Sequence, residues 1–180
     1  LLNSLSDDDL VRLVQSGDRR AMDELVDRHH GVVFHTCVAI LNDEDLAADA
    51  SQNCFIKAFR AIDRFRGEAA IRTWLLAIAR NEARGLLSKI KGRREQSIED
   101  VVHVASSDDD PSEQVTLDAE VALIRLVLLQ LPRKQRLSVT LRIDEGLSFR
   151  EIGEIIESSE GAARVNYHHG IRRLRELLES

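Results

Sequence analysis

The sequence contains few of the residues that mark several large classes of protein. Aromatic residues make up 4% of its 180 residues, and it has 2 prolines, 9 glycines and 2 cysteines. Scarce aromatics and prolines beside abundant Leu, Ala, Arg and Glu favour helices over strands. Cys37 and Cys54 lack a C-x-x-C spacing and lie among apolar residues, so we expect reduced thiols in a core, with a disulfide or metal pair as a distant alternative.

Long apolar runs and enzyme motifs are also missing. No run approaches the roughly 20 apolar residues of a membrane helix and no signal peptide opens the sequence, so we expect a cytoplasmic protein without membrane insertion of its own. There is no P-loop, G-x-S-x-G, H-E-x-x-H or Gly-rich dinucleotide loop. The adjacent pairs His29-His30 and His168-His169 point to different helix faces and cannot chelate together. We therefore expect no catalytic residues, no metal site and no cofactor.

The net charge of −6 would by itself argue against a nucleic-acid-binding protein, but its distribution reverses that argument. Residues 57–94 carry 11 basic and 3 acidic side chains. Residues 1–56 carry 4 basic and 11 acidic side chains, and residues 95–120 carry 9 acidic and no basic ones. A strongly basic segment between two acidic segments indicates a local phosphate-binding surface.

Capping residues and helix breakers divide the first part of the chain into four predicted helices. Ser6 with Asp9 reads as a capping box, Gly17 ends the first helix, and Asn42 is expected to cap the third. Gly67 lies in the charged turn before the fourth helix. The predicted helices cover about 7–16, 18–41, 43–62 and 70–91.

The second part of the chain predicts four more helices after a polar, acidic stretch. Residues 106–112 end in Pro111-Ser112 and contain three consecutive aspartates, as a solvated tether would; a short loop inside one domain is the alternative. Ser148 and Glu151 form a second capping box. The predicted helices cover about 113–130, 133–144, 148–156 and 160–178, and the last two have helix-turn-helix proportions, which an ordinary helical hairpin would partly share.

The predicted fold class is therefore all-α, with two small helical domains joined by an acidic flexible linker. The N-terminal domain is a helical bundle over residues 1–92, the linker covers 93–112, and the C-terminal domain is a helix-turn-helix domain over 113–180.

Two separate stretches of sequence resemble one family. Residues 49–68 and their continuation over 72–81 resemble the best-known stretch of the extracytoplasmic-function sigma factors, of the sigma-70 family of bacterial RNA polymerase sigma factors. Residues 131–136 and 145–152 are similar to the promoter-binding C-terminal domain of the same family. The resemblance implies a transcription initiation factor that binds core RNA polymerase and promoter DNA, helps to melt the promoter, and is held inactive by an anti-sigma factor.

The resemblance also assigns roles to individual residues. The exposed polar face expected on the third helix corresponds to the family's core-polymerase surface, although a polar stripe is by composition usually only a solvated face. Asp49 and Gln52 match the family's usual residues there. The candidate polymerase-binding residues are Asp45, Asp49, Gln52 and Asn53.

The basic segment provides the candidates for the −10 element. Arginines can follow phosphates, and an aromatic side chain can stack on an unpaired base, although Phe65 and Trp74 are also credible packing residues. The family often has Ser and an aromatic where this chain has Ala69 and Ile71, so the base that is captured stays open. The candidates are Arg60, Arg64, Phe65, Arg66, Arg72, Arg80, Asn81 and Arg84.

The last predicted helix provides the candidates for the −35 element. Asn166 stands where the family commonly has Arg, and Asn favours adenine where Arg favours guanine. Readout of DNA shape is the alternative. The candidates are Arg164, Asn166, His168, His169, Arg172 and Arg173.

Two rival functions remain at this point. A sigma-factor mimic would bind an anti-sigma factor and no DNA, but it is expected to carry a receiver domain and to lack the basic segment. A stand-alone helix-turn-helix regulator would leave the first family-like stretch without a role.

Overall fold

The computed structural model describes residues 2–96, 123–124 and 126–179, and within these ranges it contains helices and turns but no strand. The predicted all-α class is confirmed. Two short 3-10 helices cover Leu2–Ser4 and Ile62–Arg64. The α-helices whose bounds are defined are α1 (Asp7–Gln15), α2 (Arg19–Leu41), α3 (Glu44–Ala61), α4 (Ile71–Gln96), α5 (Arg133–Ile143), α6 (Phe149–Ile155) and α7 (Glu160–Leu178).

The predicted linker lies mostly outside the described residues. Of the predicted segment 93–112, residues 97–112 are not described, and neither is the first part of the helix predicted over 113–130. Residues 126–129, at the end of that predicted helix, are helical.

Local capping chemistry explains where several helices begin and end. At α6 the predicted capping box is complete: the Glu151 backbone N–H donates to Ser148 Oγ at 3.2 Å, and the Ser148 backbone N–H donates to Glu151 Oε2 at 2.8 Å. At α1 the Asp9 N–H donates to Ser6 Oγ, but the Ser6 hydroxyl donates to the Asp9 carboxylate at 2.7 Å. Ser6 therefore caps α1, while Asp9 pairs with its side chain.

The prediction that Asn42 caps the third helix is wrong. Asp43 is the N-cap of α3, and its carboxylate accepts a hydrogen bond from the Leu46 N–H at 2.9 Å. Asn42 instead ends α2 in the left-handed conformation with φ +57°, and its N–H donates to the Val38 carbonyl. Asn tolerates this conformation better than most residues, so it can terminate a helix where glycine is more usual.

The core of the N-terminal domain lies between α2, α3 and α4. Leu25, Val33 and Leu76 are buried there together with both cysteines, which are free thiols, as predicted. The Cys54 thiol donates to the Leu75 carbonyl at 3.3 Å. Burial raises the pKa of both thiols to about 12, so they are protonated and unreactive at neutral pH.

The core of the C-terminal domain is formed by α5, α6 and α7, which bury Leu141, Leu147 and Ile152 completely. Gly170 explains how closely α5 and α7 approach each other. A Cβ atom at Gly170 would lie 2.6 Å from Cγ2 of Val139 and 3.3 Å from the Gln135 carbonyl oxygen. The residue that helix propensity disfavours inside α7 is therefore the one that allows this packing.

The two domains pack against each other. α5 contacts α2, α6 contacts α4, and one hydrophobic cluster continues from one domain into the other. Polar contacts surround this cluster: Arg136 Nε donates to the Ala39 carbonyl at 2.7 Å, and His35 Nδ1 lies 3.2 Å from a carboxylate oxygen of Glu145. The packing brings the start of the helix-turn-helix onto the basic helix α4.

Candidate nucleic-acid interface

The outer face of α3 carries the predicted polymerase-binding residues. All four are exposed, because the buried side of α3 consists of other residues such as Ala50, Cys54 and Phe55. The four exposed side chains are Asp45, Asp49, Gln52 and Asn53.

An apolar cleft of about 580 Å³ lies beside this polar face, between α2 and α3. Asp49 and Gln52 stand at the cleft with Phe34, Phe55 and the 43%-exposed Ile56. Carboxylate and amide groups next to an open apolar cleft can receive a partner helix that has one apolar face and basic or polar flanks.

The loop after α3 holds the predicted aromatic residue in a fixed place. Phe65 is half-buried and packs against Trp74 with ring centroids 5.1 Å apart and planes inclined by 51°. Gln15 Nε2 donates to the carbonyl of Ile62 at 2.9 Å and more weakly to that of Phe65 at 3.3 Å. Gly67 then turns the chain with φ +71°. A packing role and a base-stacking role are both compatible with this geometry, since Phe65 contacts Trp74 and is still partly exposed.

Four of the predicted DNA-binding residues around this loop and on α4 are open to solvent: Arg60, Arg64, Arg66 and Asn81. Arg66 lies 3.9 Å from Glu68, and both side chains are more than three-quarters exposed. Such a pair contributes little stability and leaves Arg66 available to a phosphate.

The other three predicted arginines are held by the C-terminal domain. Arg72 Nη2 lies 3.3 Å from Glu151 Oε1, and Arg84 Nη1 lies 3.2 Å from Glu157 Oε2. Arg80 is 7% exposed and donates to Glu157, to the Ile155 carbonyl and to Asn81 Oδ1. In this conformation these three arginines already bind oxygen acceptors of their own chain.

The two carboxylates in these contacts have pKa values below their usual ones. Hydrogen bonds from Arg80, with the charge of that residue, hold the pKa of Glu157 below its usual value. Burial acts to raise the pKa of Glu151, but hydrogen bonds from Ser148 and Arg72 outweigh it, so this pKa also lies below its usual value. Both groups are ionised at neutral pH.

The helix-turn-helix presents its second helix, α7, on the surface of the C-terminal domain. The exposed candidates on this helix are Arg164, His168, His169, Arg172 and Arg173. Asn166 is placed differently: it is half-buried, and its Nδ2 donates to the Ala162 carbonyl one turn earlier, at 2.9 Å. Asn166 would have to leave this hydrogen bond to contact a base.

An aromatic ring orients Arg164. The guanidinium carbon atoms of Arg142 and Arg164 lie 4.8 and 5.0 Å from the centre of the Phe149 ring, which also packs against Tyr167 at 5.5 Å. A guanidinium is attracted to the face of an aromatic ring, so Phe149 keeps two cations together at the start of α7. Arg164 also pairs with Glu160 at 3.0 Å.

Sequence reasoning missed Gln15, Arg142, Glu151 and Glu157 as residues of these surfaces. Ser148 and Glu151 were predicted to form a capping box, but the ion pair of Glu151 with Arg72 was not predicted. Hydrogen bonds between residues 47 to 79 positions apart have no signature in local periodicity.

Within the described parts of the chain, no group of three or more His, Cys, Asp or Glu side chains is placed to hold a metal ion. None of the helices in those parts is long and apolar enough to cross a membrane.

Comparison with known proteins identifies two family regions in the chain. The family model for sigma-70 region 2 matches residues 25–94, and that for sigma-70 region 4 matches residues 122–174. The chain is 34% identical to the RNA polymerase sigma-H factor of Pseudomonas aeruginosa, across 99% of this chain and 95% of the relative. It is 33% identical to the ECF RNA polymerase sigma-E factor of Haemophilus influenzae, across 100% and 97%.

Solved structures share the fold. CnrH in complex with the cytosolic domain of CnrY matches with a TM-score of 0.70 at 24% identity, over 96% of this chain and 97% of the other. The sigma factor RpoE in complex with the anti-sigma factor NepR from Bartonella quintana matches with a TM-score of 0.72 at 24% identity, over 87% and 96%. At these identities the likeness establishes the arrangement of helices.

Proposed function

This chain belongs to the extracytoplasmic-function group of the sigma-70 family, and we propose that separate surfaces of it bind core polymerase, the −10 element and the −35 element. As a family member it is an RNA polymerase sigma factor for transcription initiation and not an enzyme. In the proposal, residues 1–92 bind core polymerase and the −10 element, 93–112 form the tether, and 113–180 bind the −35 element. The observation that carries it is the match of both regions, in order, within one chain.

We assign core-polymerase docking to the exposed face of α3 and the cleft beside it. The polar residues Asp49 and Gln52 stand at the edge of an apolar groove, which suits a partner helix with basic flanks. Asp49→Arg should weaken retention of the protein on immobilised core polymerase, because it reverses a charge at the groove without removing a buried side chain.

The matched control for this experiment is Asp8→Arg, which makes the same charge change at an exposed position on α1. Circular dichroism of both variants checks that the helices are intact. Undiminished retention of Asp49→Arg would refute the docking assignment.

We assign capture of the melted −10 strand to the loop around Phe65 and to the arginines on both sides of it. Arg60, Arg64 and Arg66 are exposed and can bind successive phosphates. The Phe65–Trp74 pair offers an aromatic platform for an unpaired base. The surface continues along α4 with Arg72, Arg80, Asn81 and Arg84. An extruded base must regain the few kcal/mol lost on unstacking, and such a platform contributes about 1–3 kcal/mol per base.

We assign the −35 element to α7. The recognition helix of a helix-turn-helix enters the major groove with its N-terminal residues, and Arg164 is exposed there and oriented by Phe149. His168, His169, Arg172 and Arg173 follow along α7 and would contact phosphates or base edges. Asn166 is the proposed adenine-reading residue, once it has turned away from Ala162.

The proposed partners include an anti-sigma factor, and the proposed location is the cytoplasm, where RNA polymerase acts. RpoE, whose fold this chain shares, is bound to the anti-sigma factor NepR in the solved complex. The exposed Ile56 and the cleft beside α3 offer apolar surface for such a partner.

Run-off transcription with purified core polymerase tests the whole proposal. Core enzyme with this protein should initiate from promoters that core enzyme alone ignores. If the protein instead binds promoter DNA tightly without polymerase and adds no transcripts with it, it is a helix-turn-helix regulator. If it binds neither DNA nor polymerase but does bind an anti-sigma factor, it is a mimic.

A further inference from the structure

Two carboxylates of the C-terminal domain form ion pairs with three arginines of α4. Glu157 contacts Arg80 and Arg84, and Glu151 contacts Arg72 and lies 3.5 Å from the Thr73 hydroxyl. The Glu157 carboxylate presents one oxygen to each of two guanidinium groups, as a phosphate group of a nucleic acid would, whereas Glu151 presents one oxygen to Arg72 and its other oxygen to Ser148. The contacts cross from one domain to the other and do not stabilise either domain by itself.

Glu157 lies in a strongly basic cleft. A cavity of about 230 Å³ between the domains is lined by Arg80, Arg84, Arg133 and Lys134, and among its lining residues Glu157 has the one carboxylate. Four cations this close repel one another when no anion separates them. The carboxylate of Glu157 therefore makes the closed arrangement of the two domains electrostatically possible.

The backbone at Glu157 supports a specific role for this residue. Its φ is +50°, in the left-handed region that glycine and asparagine adopt more readily than glutamate. It follows α6 in the turn of the helix-turn-helix, where glycine would fit without strain. A residue held in an unfavourable conformation persists when its surroundings fix it, and here the side chain is fixed by Arg80 and Arg84.

We propose that Glu157, assisted by Glu151, acts as an internal substitute for DNA phosphates that keeps the free protein closed. The inference rests on the proposed role of Arg72, Arg80 and Arg84 in binding the −10 strand. In the closed form these arginines are paired with carboxylates, so the free chain binds single-stranded DNA weakly. Separation of the domains, as core polymerase would require, exchanges the two carboxylates for phosphates at the same arginines.

Charge reversal at Glu157 tests this proposal. Glu157→Lys places a fifth cation in the cleft and should drive the domains apart, whereas the fold of each domain should survive, because the Glu157 side chain is 62% exposed. The control is Glu154→Lys, which makes the same charge change three residues earlier, where the carboxylate pairs with Arg150 on its own helix, at 3.5 Å. Glu151 is unsuitable for this purpose because it also caps α6.

Two measurements on the full-length variants separate the possible results. Small-angle X-ray scattering should give a larger radius of gyration for Glu157→Lys than for wild type and Glu154→Lys. Fluorescence anisotropy with a single-stranded oligonucleotide should show Glu157→Lys binding at least about tenfold more tightly than Glu154→Lys, because apparent affinity scales with the fraction of open molecules.

Equal radii and equal affinities for the two variants would overturn the proposal. A larger radius without tighter DNA binding would also overturn it, because the arginines released from Glu151 and Glu157 would then not be a DNA surface. Run-off transcription by the wild-type protein remains an independent test of the sigma function, because it measures initiation in the presence of polymerase and not the state of the free chain. Failure there would refute the proposed function, while the scattering comparison would still decide whether Glu157 holds the domains together.

Discussion

Replacing Gly170 by alanine should destabilise the protein, although helix propensity alone predicts the opposite. Alanine is favoured over glycine by about 1 kcal/mol in a helix interior, so an isolated α7 would gain from the change. In the folded protein the new Cβ would lie 2.6 Å from Cγ2 of Val139, closer than two carbon atoms can approach.

The size of this destabilisation depends on how far the residues around position 170 can move. Val139 is 3% exposed and β-branched, so its rotamer is restricted inside α5, and the second neighbour, the Gln135 carbonyl oxygen at 3.3 Å, belongs to the backbone. Overpacking a core typically costs about 1–3 kcal/mol. A contact of 2.6 Å against neighbours that can move little belongs to the upper part of this range, about 2–3 kcal/mol. Subtracting the propensity gain of about 1 kcal/mol, we expect Gly170→Ala to lower the free energy of unfolding by about 1–2 kcal/mol.

Gly161→Ala is the control in the same helix. A Cβ at Gly161 would meet only the Ser159 hydroxyl oxygen, at an ordinary 3.9 Å, so this change should leave the stability unchanged or raise it by up to about 1 kcal/mol. Urea unfolding followed by circular dichroism measures both variants. If Val139 is the obstacle, Val139→Ala with Gly170→Ala should cost less than the two single changes added together. A Gly170→Ala protein as stable as wild type would refute the packing argument.

Three further outcomes are expected. Gln15→Leu removes the side chain that donates to the Ile62 and Phe65 carbonyls and so fixes the loop proposed to capture a base during melting. Transcription from a duplex promoter should therefore fall more than transcription from a pre-melted one, and equal losses on both templates would contradict a role of Gln15 in the −10 loop. Promoters selected from a pool randomised across the −35 element should differ between wild-type and Asn166→Arg holoenzyme by tenfold or more at one position, since a bidentate base contact is worth about 1–3 kcal/mol; the same consensus from both would mean that Asn166 does not read bases. Cys37 and Cys54, whose pKa burial raises to about 12, should resist thiol reagents until the protein is unfolded, and rapid labelling of the native protein would contradict their burial.

Helix positions could be predicted from the sequence because their signals are local. Gly17 and Gly67 adopt positive φ, and Ser6 and Ser148 cap the helices that follow them. Where two capping residues are adjacent, the sequence does not decide between them. Asn42 and Asp43 can both cap a helix, and the structure uses the first to end α2 and the second to begin α3.

The exposed candidates could be predicted for a similar reason. The helical periodicity that buries Ala50, Cys54 and Ala58 leaves the opposite face of α3 in solvent. Whether an arginine on α4 is free or paired depends instead on which residues of the other domain lie against it. Arg80 has the sequence context of a surface cation but is 7% exposed, because Ile155 and Glu157 cover it from the other domain.

The charge of the basic segment therefore has to be interpreted at the level of tertiary structure. Residues 57–94 carry an excess of 8 positive charges, and this local excess predicts a phosphate-binding surface that the net charge of −6 for the whole chain does not. The folded protein divides the six arginines of this segment that are predicted to bind DNA into two groups. Arg60, Arg64 and Arg66 face solvent around the Phe65 loop, whereas Arg72, Arg80 and Arg84 are paired with Glu151 and Glu157. Because ion pairs that cross a domain boundary exist only while the domains touch, the positive surface that this chain can offer to DNA depends on the relative position of its two domains.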